Sequence, residues 1–245
     1  MNLKEIVAFL DDKKNLSNVA GMARYGISTN NTYGISIPVL RQKAKEVGTD
    51  HQLAIDLFRT GIHEAKILAA LIDDPSQVHQ RQMEDWIKGF DSWDVTDQVC
   101  NILFDKTEHA WKMATKWAKR KGEYEKRAAY SIMAGLAVHD TISPDSQFRS
   151  LFPDIIYGAQ DERNYVKKAV SWALRNIGKR NASLNKAAIR VAEGLKKLEN
   201  KSGRWIGADA FRELMSLAVK EKIKSRIGTK RGHSTHEQRA KPWRT

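Results

Sequence analysis

The sequence predicts an all-α protein, a superhelical slab of HEAT-like (ARM-type) helical repeats with a concave basic face. Three observations carry this prediction. No credible run of alternating β-branched residues occurs, and the 15 glycines and five prolines fall mainly between segments with helical periodicity. Similar short helices recur along the chain at a spacing close to one repeat. A net charge of +13 supplies the basic surface.

Start and stop residues delimit the predicted helices. Asp74 and Ser143 each precede a proline at a first helical position, and Asp50 caps the segment that follows it. Gly48 and Gly61 match the glycine that ends many helices. The predicted helices span residues 2–14, 16–24, 37–47, 51–60, 63–72, 75–89, 93–105, 108–120, 123–138, 145–157, 162–179, 183–198 and 206–226.

Helices rich in small residues recur in the sequence, as in "EAKILAALI" (64–72), "KRAAYSIMAGLA" (126–137) and "KKAVSWALRNI" (167–177). The second and third begin at Lys126 and Lys167, 41 residues apart. HEAT-type repeats have a period of about 40–47 residues. Stacked helix pairs of this kind form a curved slab, and its concave face carries the second helix of successive pairs. We therefore predict a single domain over residues 1–226.

The positive charge is spread over the chain and concentrated near its C-terminus. From Lys222 onward eight cations face one acid, which accounts for +7 of the +13 and leaves +6 on the preceding residues. From residue 227 the sequence turns polar and basic, which predicts a flexible basic tail over residues 227–245. A positive field of this size favours a polyanionic partner such as nucleic acid.

The composition excludes several other classes of protein. No apolar run approaches the roughly 20 residues that a membrane span needs, and the acidic, amphipathic N-terminus lacks the pattern of a signal peptide. The single cysteine, Cys100, rules out an intrachain disulfide and a cysteine-based metal site. The seven histidines show no ligand spacing. We expect a cytoplasmic monomer, nucleoid-associated if bacterial, with no metal, no cofactor and no membrane partner.

Four residues on three neighbouring predicted helices are candidates for a site: Trp93, Asp97, Arg127 and Trp172. Trp93 and Asp97 are four residues apart and share one helix face. Each tryptophan alone is more often a core residue, and a carboxylate near a helix start is favoured by the exposed amides there. Arg127 could instead be a solvated surface charge. However, the segment after it is strongly apolar, so the side of the helix that carries Arg127 borders the core. Together the four supply two aromatic faces, one carboxylate and one guanidinium.

Five segments share their content and their order with one known family. They are "MARYGI" (22–27), "YGISIPVLRQKAK" (33–45), "FDSWDVTDQV" (90–99), "YEKRAAYSIM" (124–133) and "YVKKAVSWALRNIGKRN" (165–181). In these segments the chain resembles the DNA alkylation repair glycosylases built from HEAT-like repeats, the AlkD family. The resemblance covers roughly residues 15–200.

The resemblance implies roles for individual residues, placed around a cleft on the concave face. The implied catalytic residues are Asp97, Trp93 and Trp172. The implied contacts with the substrate DNA are Arg127, Arg175, Tyr25 and Lys168. The implied substrate is double-stranded DNA that carries alkylated bases, on which such an enzyme acts in a shallow cleft during base excision repair.

The implied reaction hydrolyses the N-glycosidic bond of cationic alkylated purines, of the N3-methyladenine or N7-methylguanine type. An alkylated purine already carries a positive charge, so the site must chiefly stabilise the cation that develops on the sugar. A carboxylate held in a site that excludes water does this, and we assign that role to Asp97. The faces of Trp93 and Trp172 stabilise the same cation. We expect the Arg127 guanidinium to point into the cleft and hold a phosphate.

Two other functions are compatible with the predicted fold and charge. One is a non-catalytic helical-repeat protein that binds branched or bent DNA. The other is a scaffold whose basic surface binds an acidic protein. The combination of Trp93, Asp97, Arg127 and Trp172 favours the glycosylase, whereas fold and charge alone do not separate the three functions.

Overall fold

The computed structural model describes residues 1–234, with side chains through residue 225, and over that range it contains helices and no strand. A short 3-10 helix, Phe104–Lys106, follows α7. None of the helices in this described part is long and apolar enough to cross a membrane. The α-helices are α1 (Leu3–Asp12), α2 (Leu16–Ala23), α3 (Ile37–Val47), α4 (His51–Arg59), α5 (His63–Ile72), α6 (Gln80–Lys88), α7 (Trp93–Ile102), α8 (Ala110–Trp117), α9 (Glu123–His139), α10 (Asp145–Arg149), α11 (Phe152–Gly158), α12 (Asn164–Gly178), α13 (Ala182–Leu195), α14 (Lys201–Leu214) and α15 (Leu217–Ser234).

Helices α3 and α4 begin and end where their residue types predict. Pro38 lies in the first turn of α3, where its missing N–H costs no helical hydrogen bond. The Asp50 side chain caps α4 by accepting a hydrogen bond from the Leu53 N–H at 2.9 Å. Gly48 and Gly61 follow the two helices with φ of 78° and 71°, a left-handed conformation that glycine adopts without strain.

Three predicted helices differ clearly from the structure, and two of them lie before α12. The predicted helix 75–89 begins only at Gln80, because the Asp74 carboxylate accepts hydrogen bonds from Ser76 and fixes a turn there. The predicted helix 145–157 is divided into α10 and α11. Pro153 lacks the N–H that a continuing helix needs, so it lies instead in the first turn of α11.

The C-terminal predicted helix, 206–226, is also divided. Helix α14 begins earlier, at Lys201, and α15 begins after Ser216, whose hydroxyl accepts a hydrogen bond from Val219 N. Helix α15 continues to Ser234. The predicted tail over 227–245 therefore overlaps this helix as far as Ser234, and its remaining residues, 235–245, lie outside the described part of the chain.

The helices stack as pairs in two layers. Within pairs, α4 packs on α5, α8 on α9 and α13 on α14. Helices α5, α7, α9, α12 and α14 form one continuous inner layer, in which each helix packs on the next. Trp93 and Asp97 lie on α7, Arg127 on α9 and Trp172 on α12. The stacking therefore places the four candidate residues on three adjacent helices.

Helix α9 lies at the centre of the inner layer and is buried on all sides from Lys126 to Ala137. Such a helix belongs to a core rather than to a surface. Its two charged residues in this stretch are buried with carboxylate partners, as buried charges generally must be. Lys126 Nζ donates to Asp161 Oδ2 at 3.0 Å, and Arg127 pairs with Asp97.

The segment between α2 and α3 reaches the inner layer and borders the candidate site. Trp93 Nε1 donates a hydrogen bond to the Tyr25 carbonyl at 3.1 Å, and the Tyr165 hydroxyl on α12 donates to the Gly26 carbonyl at 3.0 Å. A Cβ at residue 26 would lie 1.9 Å from that hydroxyl, so the contact requires a glycine. The buried Glu64 carboxylate fixes the end of the segment by accepting the backbone N–H groups of residues 33–35.

Candidate functional site

A cleft of about 630 Å³ opens on the inner layer of helices. Its lining comes from α3, from α7, from the C-terminal end of α9 and from α12. Trp93, Asp97 and Trp172 all line this cleft. The structure thus brings the three predicted catalytic side chains together, and their chemical role stays a prediction.

The Asp97 carboxylate is held by three hydrogen-bond donors. Arg127 Nε donates to Oδ1 at 2.9 Å and Arg127 Nη2 donates to Oδ2 at 2.6 Å. The Ser131 hydroxyl donates to Oδ1 at 2.6 Å. The side chain keeps 17% of its surface exposed. A charge fixed in this way need not reorient when a cation develops beside it, which is the requirement for preorganised electrostatic stabilisation.

The two tryptophans are fixed by contacts outside the cleft. The N–H of Trp93 is bonded to the Tyr25 carbonyl, and the Arg127 guanidinium carbon lies 5.7 Å from the indole centroid. Trp172 is half-buried on α12 and packs against the core. On either side of it, Ser171 Oγ donates to Asp209 and Asn176 Nδ2 donates to the Ala134 carbonyl, which anchors α12 to α14 and α9.

A second carboxylate, that of Asp94, also lines the cleft. His63 Nε2 lies 2.9 Å from its Oδ2, and the Ser92 hydroxyl donates to its Oδ1. Burial raises the pKa of Asp94, but the hydrogen bond and charge of His63 and the hydrogen bond of Ser92 outweigh it and hold the pKa below its ordinary value. The cleft therefore presents two carboxylates, an arrangement that suits a cationic substrate.

The cysteine near the cleft is inert. Cys100 is fully buried, and burial together with the charges of Asp97 and Asp105 raises the pKa of its thiol well above the ordinary value. A neutral buried thiol is a packing residue rather than a nucleophile. Within the described part of the chain, no three His, Cys, Asp or Glu side chains are grouped so that they could hold a metal ion.

Comparison with known proteins identifies the family. A family model described as "DNA alkylation repair enzyme" matches residues 6–214. The chain belongs to the DNA alkylation repair enzyme family. A solved structure described as "A new family of proteins related to the HEAT-like repeat DNA glycosylases with affinity for branched DNA structures" aligns with a TM-score of 0.72 and 19% identity over 86% of this chain and 95% of that chain. The predicted resemblance and the predicted HEAT-like all-α fold are confirmed. A search of the curated proteins found no match.

In this member of the DNA alkylation repair enzyme family, Arg127 is not oriented as predicted. Its side chain does not line the cleft and is only 5% exposed. Besides its two bonds to Asp97, it donates from Nη1 to the Tyr165 carbonyl at 2.5 Å. The guanidinium is thus occupied by protein acceptors, because α9 is buried between α7 and α12. The structure therefore does not show the expected orientation into the cleft, and a contact between Arg127 and a phosphate stays a prediction.

Arg175 is likewise occupied by protein acceptors. Its Nη1 donates to the Glu213 carboxylate, and its Nε lies 3.5 Å from Asp209 Oδ2. Both acids lie on α14, the neighbouring helix of the inner layer, and Arg175 does not line the cleft. The structure therefore does not place Arg175 in the cleft, and its implied contact with DNA stays a prediction.

The other two implied DNA contacts remain accessible. Lys168 lies on α12 one turn before Trp172, is exposed, and has no ion-pair partner among the described residues. Tyr25 is 75% exposed, while its backbone carbonyl accepts the hydrogen bond of Trp93. Both stay available for DNA, and their contact with it stays a prediction.

The sequence interpretation did not assign roles to Ser131, Arg41 and His139. Ser131 lies four residues after Arg127, a spacing that places both on one face of α9 and was the available signal. Arg41 and His139 line the cleft from α3 and from the end of α9. Arg41 lies in the family-like segment 33–45, but that segment assigned it no role, and no motif marks His139. The place of both in the cleft depends on how distant helices stack.

Proposed function

We propose that the chain is a DNA glycosylase that hydrolyses the N-glycosidic bond of cationic alkylated purines in duplex DNA. The observation that carries this proposal is the Asp97 carboxylate, held by Arg127 and Ser131 in a cleft that it shares with Trp93 and Trp172. The description of the family to which the chain belongs, "DNA alkylation repair enzyme", supports a role in repair of alkylated DNA. The test is release of free N7-methylguanine from a duplex that contains it.

The proposed step breaks the bond between C1′ of the sugar and the ring nitrogen of the base. Both electrons of that bond stay with the base, which neutralises its positive charge, and C1′ becomes cationic. The Asp97 carboxylate stabilises this cation by charge. The oxygen of a water molecule then bonds to C1′ and loses a proton, for which Asp97 is the acceptor within the cleft. The products are a free base and an abasic sugar.

The tryptophans act on the same cation through their aromatic faces. A cation over an indole face gains about 0.5–2 kcal/mol, and only a contact that is stronger in the transition state raises the rate. The cleft has Trp93 on α7 and Trp172 on α12. Two such faces with one fixed carboxylate account for catalysis without a strong acid, because the cationic base is already a good leaving group.

Replacement of Trp172 by alanine is expected to slow single-turnover base release by about 2- to 30-fold, the loss of one cation–π contact. Affinity for undamaged duplex should change little. Trp205→Ala is the matched control, since Trp205 is a partly exposed tryptophan outside the cleft that stacks with Lys167 at 4.9 Å. Equal slowing by the two variants, or none by Trp172→Ala, would contradict the assigned role.

We further propose that residues 1–226 form the DNA-binding and catalytic unit and that residues 227–245 add a general attraction for DNA. The net charge of +13, of which residues 227–245 carry +4, motivates this division. Affinity for undamaged duplex should fall steeply with salt, by about 10³-fold or more between about 50 and 200 mM if six or more phosphates are contacted. Fluorescence anisotropy at several salt concentrations gives the slope. A slope near zero would show that charge does not drive binding.

A second function is favoured by one comparison. The solved structure that shares this fold is described as having affinity for branched DNA structures, so we consider a non-catalytic protein that binds branched DNA. Titration of a four-way junction and of an alkylated duplex of equal length separates the two functions. The glycosylase predicts base release from the duplex, whereas the alternative predicts tighter binding to the junction and no release from either DNA.

A further inference from the structure

His139 lies at the C-terminal end of α9, where two cavities meet. It lines the cleft that contains Asp97 and Trp172, and it also lines a neighbouring cavity of about 460 Å³. The imidazole side chain is 44% exposed. Its Nδ1 is bonded to Asp105, and its Nε2 has no hydrogen-bond partner among the described residues. One ring nitrogen is therefore anchored and the other is available to a ligand.

Asp105 is built into the protein as the anchor of this ring. Its Oδ2 lies 2.5 Å from His139 Nδ1, and its side chain is fully buried. Its other oxygen, Oδ1, is buried without a hydrogen-bond partner. The close approach depends on Gly135, because a Cβ at that position would lie 2.4 Å from Oδ2. A carboxylate placed this way fixes the tautomer and the orientation of an imidazole.

Burial raises the pKa of Asp105, while the hydrogen bond and the charge of His139 and the charge of Lys106 lower it, and the net shift is upward. Lys106 and Glu108 line the neighbouring cavity with His139, and Asp94 lines the cleft with it. Further charged groups lie near the ring. Asp140 follows His139, Arg180 donates to the Leu136 and Ala137 carbonyls of the last turn of α9, and Arg41 and Asp97 line the cleft. His139 is also the last residue of α9, and the partial negative charge at the C-terminal end of a helix stabilises a cation.

The described residues that line the cleft carry little positive charge for a site that binds DNA. The two arginines implied as phosphate contacts, Arg127 and Arg175, are both engaged by carboxylates. Among the described residues that line the cleft there are two acids, Asp94 and Asp97, and the only ones that can carry positive charge are Arg41 and His139. DNA binding places phosphates beside such groups.

We propose that His139 is a phosphate contact of the cleft that acts in its protonated form, with Asp105 as its positioning residue. This inference rests on the proposed DNA-binding function of the cleft. The Nε2–H of the imidazolium donates to a phosphate oxygen near the lesion, and Asp105 holds the ring from the opposite side. Only the protonated imidazole adds a positive charge to the cleft, so this contact should make DNA affinity higher at lower pH.

The test measures the affinity of the full chain for undamaged duplex at pH 6 and pH 8, each at several salt concentrations. Wild-type protein should bind more tightly at pH 6. The slope of the logarithm of its binding constant against the logarithm of the salt concentration should be steeper there by about one unit, the effect of one added phosphate contact. His139→Gln should lose this increment at pH 6 and match the wild type at pH 8. His79→Gln is the control, because His79 is exposed and does not line the cleft.

Asp105→Asn tests the positioning role. It removes the charge that pairs with the imidazolium, so the increase in affinity should move to lower pH, a shift that a purely structural residue would not cause. Thermal unfolding of each variant shows whether it is folded. The inference would be overturned if His139→Gln kept the pH dependence and the salt slope of the wild type. It would also be overturned if His79→Gln lost the increase in affinity at pH 6. Absence of DNA binding by the wild type at both pH values would contradict the proposed function as well.

Discussion

Replacement of Asp97 by asparagine is expected to lower single-turnover release of N7-methylguanine by about 10²–10³-fold, the effect of removing one preorganised electrostatic group. Asparagine has the same shape and no charge. The asparagine oxygen can still accept a hydrogen bond from Ser131. DNA affinity should change little, because Asp97 lines the cleft as an acid and does not attract the DNA phosphates. The loss should therefore appear in the rate at saturating protein.

The Asp97→Asn variant needs a stability control, since its amide nitrogen would face the buried Arg127 guanidinium. Thermal unfolding should show a folded protein at the assay temperature, and the assay is valid only below that transition. Asp85→Asn is the matched control, because Asp85 is an exposed acid on α6 outside the cleft. Near-normal base release by folded Asp97→Asn would exclude Asp97 as the catalytic charge.

Replacement of Arg127 by alanine is expected to lower the free energy of unfolding by about 3–5 kcal/mol, the range for breaking a buried ion pair by removing one partner. The change leaves Asp97 with Ser131 as its remaining side-chain donor and leaves the Tyr165 carbonyl without its Arg127 donor. Because Asp97 would then be free to reorient, base release should fall as well. Urea denaturation measures the stability, and Arg59→Ala on the exposed side of α4 is the control.

Arg127→Lys separates a positioning role from a phosphate contact. Lysine keeps the charge but cannot form the two parallel hydrogen bonds that Arg127 makes with Asp97. If Arg127 positions Asp97, the lysine variant should lose base release while keeping the salt dependence of DNA binding. If Arg127 instead held a phosphate, alanine would reduce that salt slope by about one unit and leave the stability near that of the wild type.

Much of the fold could be predicted because the signals are local. Caps, glycines and helical periodicity mark helices α3 to α5 and α7 to α9 within the error of such predictions. The grouping of Trp93 and Asp97 follows from a spacing of four residues on one helix. Trp172 is grouped with these two residues because the order of the repeats places α7, α9 and α12 side by side.

The roles of the arginines could not be predicted because their partners are distant in sequence. Arg127 pairs with Asp97 across two helices, and Arg175 pairs with Glu213 on α14. The apolar run after Arg127 indicated a helix beside the core, yet it did not show that the guanidinium itself is buried. His139 was missed for the same reason, since Asp105 and the cleft reach it only through the packing of α9.

The most direct measurement of the central claim is the amount of free N7-methylguanine that the full chain releases from an alkylated duplex with protein in excess. Mass spectrometry of the released base, against the same duplex without protein, gives the rate. The proposed mechanism predicts release well above the spontaneous rate by the wild-type protein and near-spontaneous release by folded Asp97→Asn. Release by the wild type at the spontaneous rate, while it still binds the duplex, would contradict the claim.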